Sequence, residues 1–122
     1  MQGFYVHKRN LVVVKQNKLD VVMLVIGHEI GHVMSAPLPN AHDEEAKAFA
    51  FEMEWMKAIK KHNIANLASN INTDFKPANN GLHNVAFNFV RNLVSAGKRA
   101  MDVFKGLVRG EVSMKSAAMC EI

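Results

Sequence analysis

Residues 19–34 read Leu-Asp-Val-Val-Met-Leu-Val-Ile-Gly-His-Glu-Ile-Gly-His-Val-Met, an apolar stretch of helical length that holds a His-Glu-x-x-His sequence near its end. Its later turns contain only three strongly polar groups, which are His28, Glu29 and His32. Residues four apart lie one above the other on a helix, so both imidazoles can reach one metal ion from a single face. Buried polar groups need partners, and a metal ion with its water satisfies all three. The stretch therefore predicts a helix that carries two ligands of a zinc site.

Glu29 is predicted to be the catalytic base and acid. On an ideal helix it is turned by about 100° from His28, which places its carboxylate beside the metal ion and not on it. Zinc held by three protein ligands keeps a fourth position for water and lowers the pKa of that water toward about 7. A neighbouring carboxylate can then take the proton and pass it to the leaving amine.

The third ligand is expected just downstream, where four candidate side chains follow one another: His42, Asp43, Glu44 and Glu45. Residues 43–61 have the pattern of a helix, and Asn40 or Asp43 can cap its N-terminus. On a helical wheel of this segment, Asp43 falls on a polar face with other charged residues, namely Lys47, Glu54, Lys57 and Lys61. The opposite face is apolar and contains Ala48, Phe49, Trp55, Met56 and Ile59.

Glu45 and Glu52 fall near the middle of that apolar face. A glutamate at the buried centre of a helix next to a metal-binding helix is best explained as a ligand, so Glu45 is the predicted third ligand. Glu52 is predicted either to orient a ligand or to pair with a lysine at the rim. Two alternatives stay open: His42 would complete a three-histidine site, and Asp43 is interpreted as a cap or a first-turn charge unless it is the ligand.

Residues 21–59 resemble the core of a zincin metallopeptidase of the gluzincin type, in which His-Glu-x-x-His on one helix is followed by Glu-x-x-Ala on the next. Glu45-Ala46-Lys47-Ala48 fits the second motif, and the resemblance implies Glu45 as a ligand and Ala48 as the small residue that lets the helices approach. A second alignment of the same segment resembles the Ala-x-x-Phe-Ala sequence of small phage and mobile-element zincins. In that alignment the ligand position falls on Asp43. Residues 3–6 and 11–14 resemble the hairpin that precedes the active helix in those domains.

The predicted fold class is α+β: an N-terminal β-hairpin packed on the His-Glu-x-x-His helix and a second metal-ligand helix, followed by a helical C-terminal half. Strands are predicted at residues 4–7 and 11–15, and helices at 19–35, 43–62, 82–94 and 98–108. Residues 70–81 are rich in turn formers and predict a loop. Gly27 and Gly31 indicate close approach to a strand or a substrate. Residues 1–66 form the predicted catalytic core, and residues 67–122 form a helical part of the same compact domain.

Composition narrows the classes of function. The 122 residues suit one domain, and the net charge of +4 comes from lysine-rich runs that are not interleaved with aromatic residues, which disfavours a nucleic-acid interface. Cys120 is the only cysteine, so a reducing compartment is expected. With neither an apolar leader nor a membrane-length apolar run, a cytoplasmic location is predicted. The sequence does not fix the oligomeric state.

The predicted function is hydrolysis of peptide bonds in a protein or peptide substrate, with Zn²⁺ as cofactor. His28, His32 and Glu45 would hold the metal, and Glu29 would act on the water. No oxyanion-stabilising residue is assigned, since Tyr5, His42 and His83 are weak candidates. His7, His62 and His83 lack ligand-like spacing. The alternative is a non-catalytic, zinc-stabilised binding module that contacts a host protein or nucleic acid, although a structural zinc site has no need of Glu29.

Overall fold

A computed structural model describes residues 3–6, 11–14, 19–64, 67 and 77–114. Two strands, β1 (Gly3–Val6) and β2 (Leu11–Val14), pair antiparallel and precede four helices. The helices are α1 (Leu19–Val33), α2 (Ala41–His62), α3 (His83–Ser95) and α4 (Ala100–Val108). The positions His7, Lys15 and Cys120, the side chain of Tyr5 and residues 70–76 of the predicted loop lie outside this description.

The predicted α+β class is wrong, because the described part of the chain is built as a helical domain. Among the residues whose burial is described, those of both strands not included, every buried apolar residue of the two core clusters comes from a helix, except Leu67. The two strands have four residues each, and such a ribbon is too small to form a layer on which four helices could pack. The fold is therefore set by helix-on-helix packing. None of the described helices has the length and apolar character needed to cross a membrane.

Helix α2 is the centre of this packing and contacts all three other helices. The larger core cluster joins α2 to α3 and α4, and its buried members are Ala46, Phe49, Ala50, Ala86, Phe87, Val90, Val103, Phe104 and Leu107. A smaller cluster joins α1 to α2 and contains Leu24, Met56, Ile59 and Leu67. Because α2 has neighbours on several sides, it buries residues around most of its circumference.

The burial around α2 corrects two predictions from the helical wheel. Asp43 and Lys47 were both predicted to face solvent, yet Asp43 is 9% exposed and Lys47 is fully buried. The Lys47 ammonium donates to the carbonyl oxygen of His32 at 3.0 Å and pairs with Glu44 Oε1 at 2.9 Å. A cation at this position satisfies a carbonyl of the last turn of α1 and complements the negative end of that helix.

The first turn of α2 is fixed by Asn40, one of the two predicted caps. Its side-chain oxygen accepts from the backbone N–H groups of His42 and Asp43 at 2.9 and 3.1 Å. The helix thus begins at Ala41, two residues before the predicted start. The helix ends at His62 and is capped by Asn63, which adopts the left-handed conformation (φ 46°) and donates its N–H to carbonyls of the last turn.

Close contact between α1 and α2 depends on two glycines of α1. A Cβ atom on Gly31 would lie 2.7 Å from the Cα atom and 2.9 Å from the carbonyl oxygen of Ala48. A Cβ atom on Gly27 would lie 2.4 Å from the Trp55 ring, which is held in place by an N–H bond of 2.8 Å to the Met23 carbonyl. The close approach that these glycines predicted is therefore to α2, and not to a strand or a substrate.

We expect Gly31→Ala to destabilise the protein, although alanine is the better helix former by about 1 kcal/mol. The new methyl group meets backbone atoms of Ala48, which cannot move without shifting α2. Overpacking of this kind costs about 1–3 kcal/mol. Thermal and urea unfolding should both show the loss.

Gly106→Ala in α4 is the matched control. Its Cβ atom would meet the end of the Val112 side chain, which can change rotamer, so a smaller loss is expected. If Gly31→Ala is as stable as the wild type, the two helices do not touch as described.

Candidate metal centre

The carboxylate of Glu45 lies between the two histidines of the His-Glu-x-x-His sequence. Helix α1 places His28 and His32 on one face, and α2 brings Glu45 opposite them in its first two turns. Glu45 Oε2 is 3.0 Å from His28 Nε2 and 3.2 Å from His32 Nε2. Glu45 Oε2 thus contacts one ring nitrogen of each predicted histidine ligand. The group whose ligand atoms all lie within 4.8 Å of one another is His28, Glu45 and His83, and it does not include His32.

The other ring nitrogen of each histidine, Nδ1, also lies next to a carboxylate. His32 Nδ1 is 2.6 Å from Glu44 Oε2, and His28 Nδ1 is 3.3 Å from Glu52 Oε1. The second contact has the length of an ion pair without directed hydrogen-bond geometry, so His28 Nδ1 and Glu52 Oε2 have no hydrogen-bond partner in the described part of the chain. A carboxylate at Nδ1 favours a proton there and leaves Nε2 as the nitrogen that can bind a metal.

Two distances in the predicted ligand set are close to the spacing of donor atoms around a small divalent cation. Nitrogen and oxygen ligands lie about 2.0–2.2 Å from zinc, and two corners of such a tetrahedron are roughly 3.3 Å apart. The distances of 3.0 and 3.2 Å from Glu45 Oε2 to the two Nε2 atoms are close to that edge. Two imidazoles with one carboxylate are also a common catalytic zinc donor set.

The histidines and glutamates of the centre change one another's pKa values. Burial alone would lower the pKa of His28, but its contacts with Glu45 and Glu52 outweigh burial and raise the pKa to about 9. The pKa of His32 is raised in the same way, against burial, by Glu44 and Glu45. Despite burial, the histidines hold the pKa of the Glu45 carboxyl far below its usual range. The glutamates thus stabilise the protonated, positively charged form of both histidines.

Glu44 and Glu52 respond to this environment in opposite directions. Burial favours the neutral carboxyl of Glu44, but His32, Lys47 and the backbone N–H of Leu38 outweigh it and lower the pKa. Glu52 is 1% exposed, and burial raises its pKa even though His28 opposes that shift. Of the two roles predicted for Glu52, the first has a matching contact among the described residues, because its neighbour there is His28.

Glu29 is buried at 7% exposure beside the same histidines. Within residues 19–64, 67 and 77–114, no group forms a hydrogen bond or an ion pair with its carboxylate. Burial raises the pKa of Glu29, and the charges of His32 and His28 oppose the increase. A carboxylate that has no fixed partner and lies beside the candidate ligands is available to a water molecule.

The two alternative ligands lie elsewhere. Asp43 accepts from the Ser113 hydroxyl and from the backbone N–H of Met114, both at 2.8 Å, so it ties the end of the described chain to α2. His42 is turned toward the loop before α3, with Nε2 3.2 Å from the carbonyl oxygen of Gly81. Neither side chain reaches the point on which His28 and His32 converge.

His83 is a member of the cluster that sequence reasoning did not assign. Its Nε2 atom is 3.1 Å from Glu45 Oε1, and its ring centroid is 6.2 Å from that of His28. Ligand atoms of His28, Glu45 and His83 all lie within 4.8 Å of one another. His83 is 38 positions beyond Glu45 and follows a turn-rich segment, so no helical spacing could place it there.

Phe49 closes the inner side of the cluster. Its ring centroid is 4.4 Å from that of His28 and 5.3 Å from that of Phe87, which links the site to the larger core cluster. The imidazole is thereby shielded from water on one face.

Comparisons with known protein families, with curated proteins and with solved structures give no match to this chain. The likeness to zincins therefore rests on the residues themselves, and the roles of His28, Glu29, His32 and Glu45 remain predictions.

We expect Glu45→Gln to weaken zinc binding by at least about tenfold, because the charged oxygen between the two Nε2 atoms is lost. Asp43→Asn should leave zinc affinity unchanged and cost about 1–2 kcal/mol of stability through its weakened bonds to Ser113 and Met114. Competition with a chromophoric chelator measures the affinity, and urea unfolding measures the stability.

His42→Ala is the second control, and it too should keep full zinc affinity because its ring contacts Gly81. Loss of zinc in Asp43→Asn or His42→Ala, with retention in Glu45→Gln, would contradict the assignment of Glu45.

Proposed function

We propose that the protein is a zinc-dependent hydrolase that cleaves peptide bonds. The observation that carries the proposal is the contact of His28 Nε2 and His32 Nε2 with Glu45 Oε2, beside the carboxylate of Glu29, which has no partner in the part of the chain that the structure describes. The resemblance to zincins supports a protein or peptide as the substrate. A single cysteine supports a reducing, cytoplasmic setting.

When bound, zinc would supply a Lewis acid that polarises the substrate carbonyl and lowers the pKa of water. His28, His32 and Glu45 would hold the metal, and Glu44 and Glu52 would keep the two imidazoles oriented through Nδ1. Glu29 would accept a proton as the water oxygen attacks the carbonyl carbon. It would then return that proton to the amide nitrogen as the carbon–nitrogen bond breaks.

A second candidate function is a zinc-stabilised binding module. It is favoured by His83, because a fourth side chain beside His28 and Glu45 could complete a closed set of four protein ligands. Structural zinc sites are closed in this way, whereas catalytic sites keep one position for water. The two candidates differ in whether Glu29 is needed.

We expect the purified protein to bind about one zinc ion per chain, and His28→Ala and His32→Ala to abolish that binding, because each removes a nitrogen that faces Glu45. Glu29→Gln should keep the zinc and lose at least about a hundredfold in peptide cleavage, since it removes only the proton acceptor. Elemental analysis and a peptide-library cleavage assay measure the two properties.

Full metal content in both histidine variants would overturn the zinc site. Zinc binding by the wild type without any cleavage, and with Glu29→Gln indistinguishable from it, would favour the binding module.

A further inference from the structure

His83 can act on the metal centre in two ways that depend on which ring nitrogen carries the proton. With a bare Nε2 atom it could be a fourth ligand, and with an Nε2–H group it could only donate a hydrogen bond. The contacts of Asn80, at the start of α3, distinguish between these states.

The side-chain amide of Asn80 has only one orientation that satisfies its neighbours. Its oxygen accepts from the backbone N–H groups of Leu82 and His83 at 3.0 and 2.8 Å. The amide nitrogen is therefore the atom that lies 2.8 Å from His83 Nδ1. An amide NH₂ group can only donate, so Nδ1 must accept, and the proton of the neutral ring is on Nε2.

Glu45 favours the same tautomer from the other side of the ring. His83 Nε2 faces Glu45 Oε1 at 3.1 Å, and a carboxylate oxygen attracts an N–H group and repels a lone pair. Glu45 also faces Nε2 of His28 and His32, so the difference between the histidines lies at Nδ1. Nδ1 of His28 and of His32 faces a carboxylate, which keeps a proton there when Nε2 binds a metal. Nδ1 of His83 faces the Asn80 amide instead. The three histidines of the cluster are thus held in two different states.

We propose that His83 is a positioning residue for Glu45, to which it donates its Nε2–H, and not a fourth ligand of the metal. This inference rests on the metal centre of the proposed function and describes how that centre is organised. Glu45 would bind the metal through Oε2 alone while His83 holds Oε1. Each of the three ligands would then have its own orienting partner, and the fourth position would stay open to water.

The first test reads the tautomer in the metal-free protein. Long-range ¹H–¹⁵N NMR spectra distinguish Nε2–H from Nδ1–H imidazoles, and the signal of His83 is identified by its loss in His83→Gln. We expect the Nε2–H form in the wild type. In Asn80→Asp, the new carboxylate can still accept from the two backbone groups and also presents an acceptor to Nδ1, so Nδ1 should gain a proton. A wild-type Nδ1–H signal would overturn the inference without affecting the zinc site.

The second test uses cobalt(II) in place of zinc, because its visible absorption depends on the number and kind of ligands. His83→Gln keeps an N–H donor for Glu45, so its spectrum should match that of the wild type, and its zinc affinity should be within about threefold. His83→Leu removes the donor and should weaken zinc binding by about tenfold or more, the scale of a lost orienting contact.

Asn80→Asp should alter the cobalt spectrum, since His83 then presents a bare Nε2 atom to the metal. The double variant Asn80→Asp/His83→Gln should restore the wild-type spectrum. A spectrum changed by His83→Gln alone, or unchanged by Asn80→Asp, would overturn the positioning role. Failure of the wild type to bind zinc or cobalt would instead overturn the proposed function, and the inference with it.

Discussion

The contact between the backbones of α1 and α2 at Gly31 and Ala48 determines the geometry of the whole site. A Cβ atom at Gly31 would be 2.7 Å from Ala48 Cα, so the helices could not come this close with any larger residue there. His28 and His32 flank Gly31 on α1, and Glu45 and Glu52 flank Ala48 on α2. The close approach of the two helices at this point accompanies contacts of 3.0 and 3.2 Å between the imidazoles of α1 and the Glu45 carboxylate. The contact between Gly31 and Ala48 therefore influences both the packing of α1 against α2 and the positions of the side chains in the site.

Charge balance explains why this interface needs a cation. Four glutamates, Glu29, Glu44, Glu45 and Glu52, lie at the α1 and α2 boundary, and among the described residues Lys47 is the one buried lysine beside them. Burying carboxylates without partners is costly. In the metal-free protein, protons on the histidines supply the missing positive charge, as the raised pKa of His28 reflects. A divalent metal ion can replace those protons, because Nδ1 of each ring remains next to its own carboxylate.

Short-range periodicity predicted the part of the site that lies on two consecutive helices. The four-residue spacing of His28 and His32 placed them on one face, and the wheel of α2 turned Glu45 and Glu52 toward the buried side. The same wheel was wrong for Asp43 and Lys47, because it assumes one buried face while α2 has neighbours on three sides. His83 could not be predicted, since its position depends on how α3 packs against α2. The α+β class was wrong because strand patterns in two short segments do not indicate how much of the core they build.

Glu29 separates a catalytic from a structural interpretation of this centre. The neighbouring acids that are buried or partly buried have partners: Asp43 binds Ser113 and Met114, Glu44 binds His32 and Lys47, and Glu45 and Glu52 contact histidines. Glu29 has none among the described residues, although it is 7% exposed and burial raises its pKa. A structural metal site would be more stable with an apolar residue at this position, because an unpaired buried carboxylate costs free energy. Its presence beside the candidate ligands is explained if its partner is a water molecule that reacts, which is why we propose a hydrolase and keep the binding module as the second candidate.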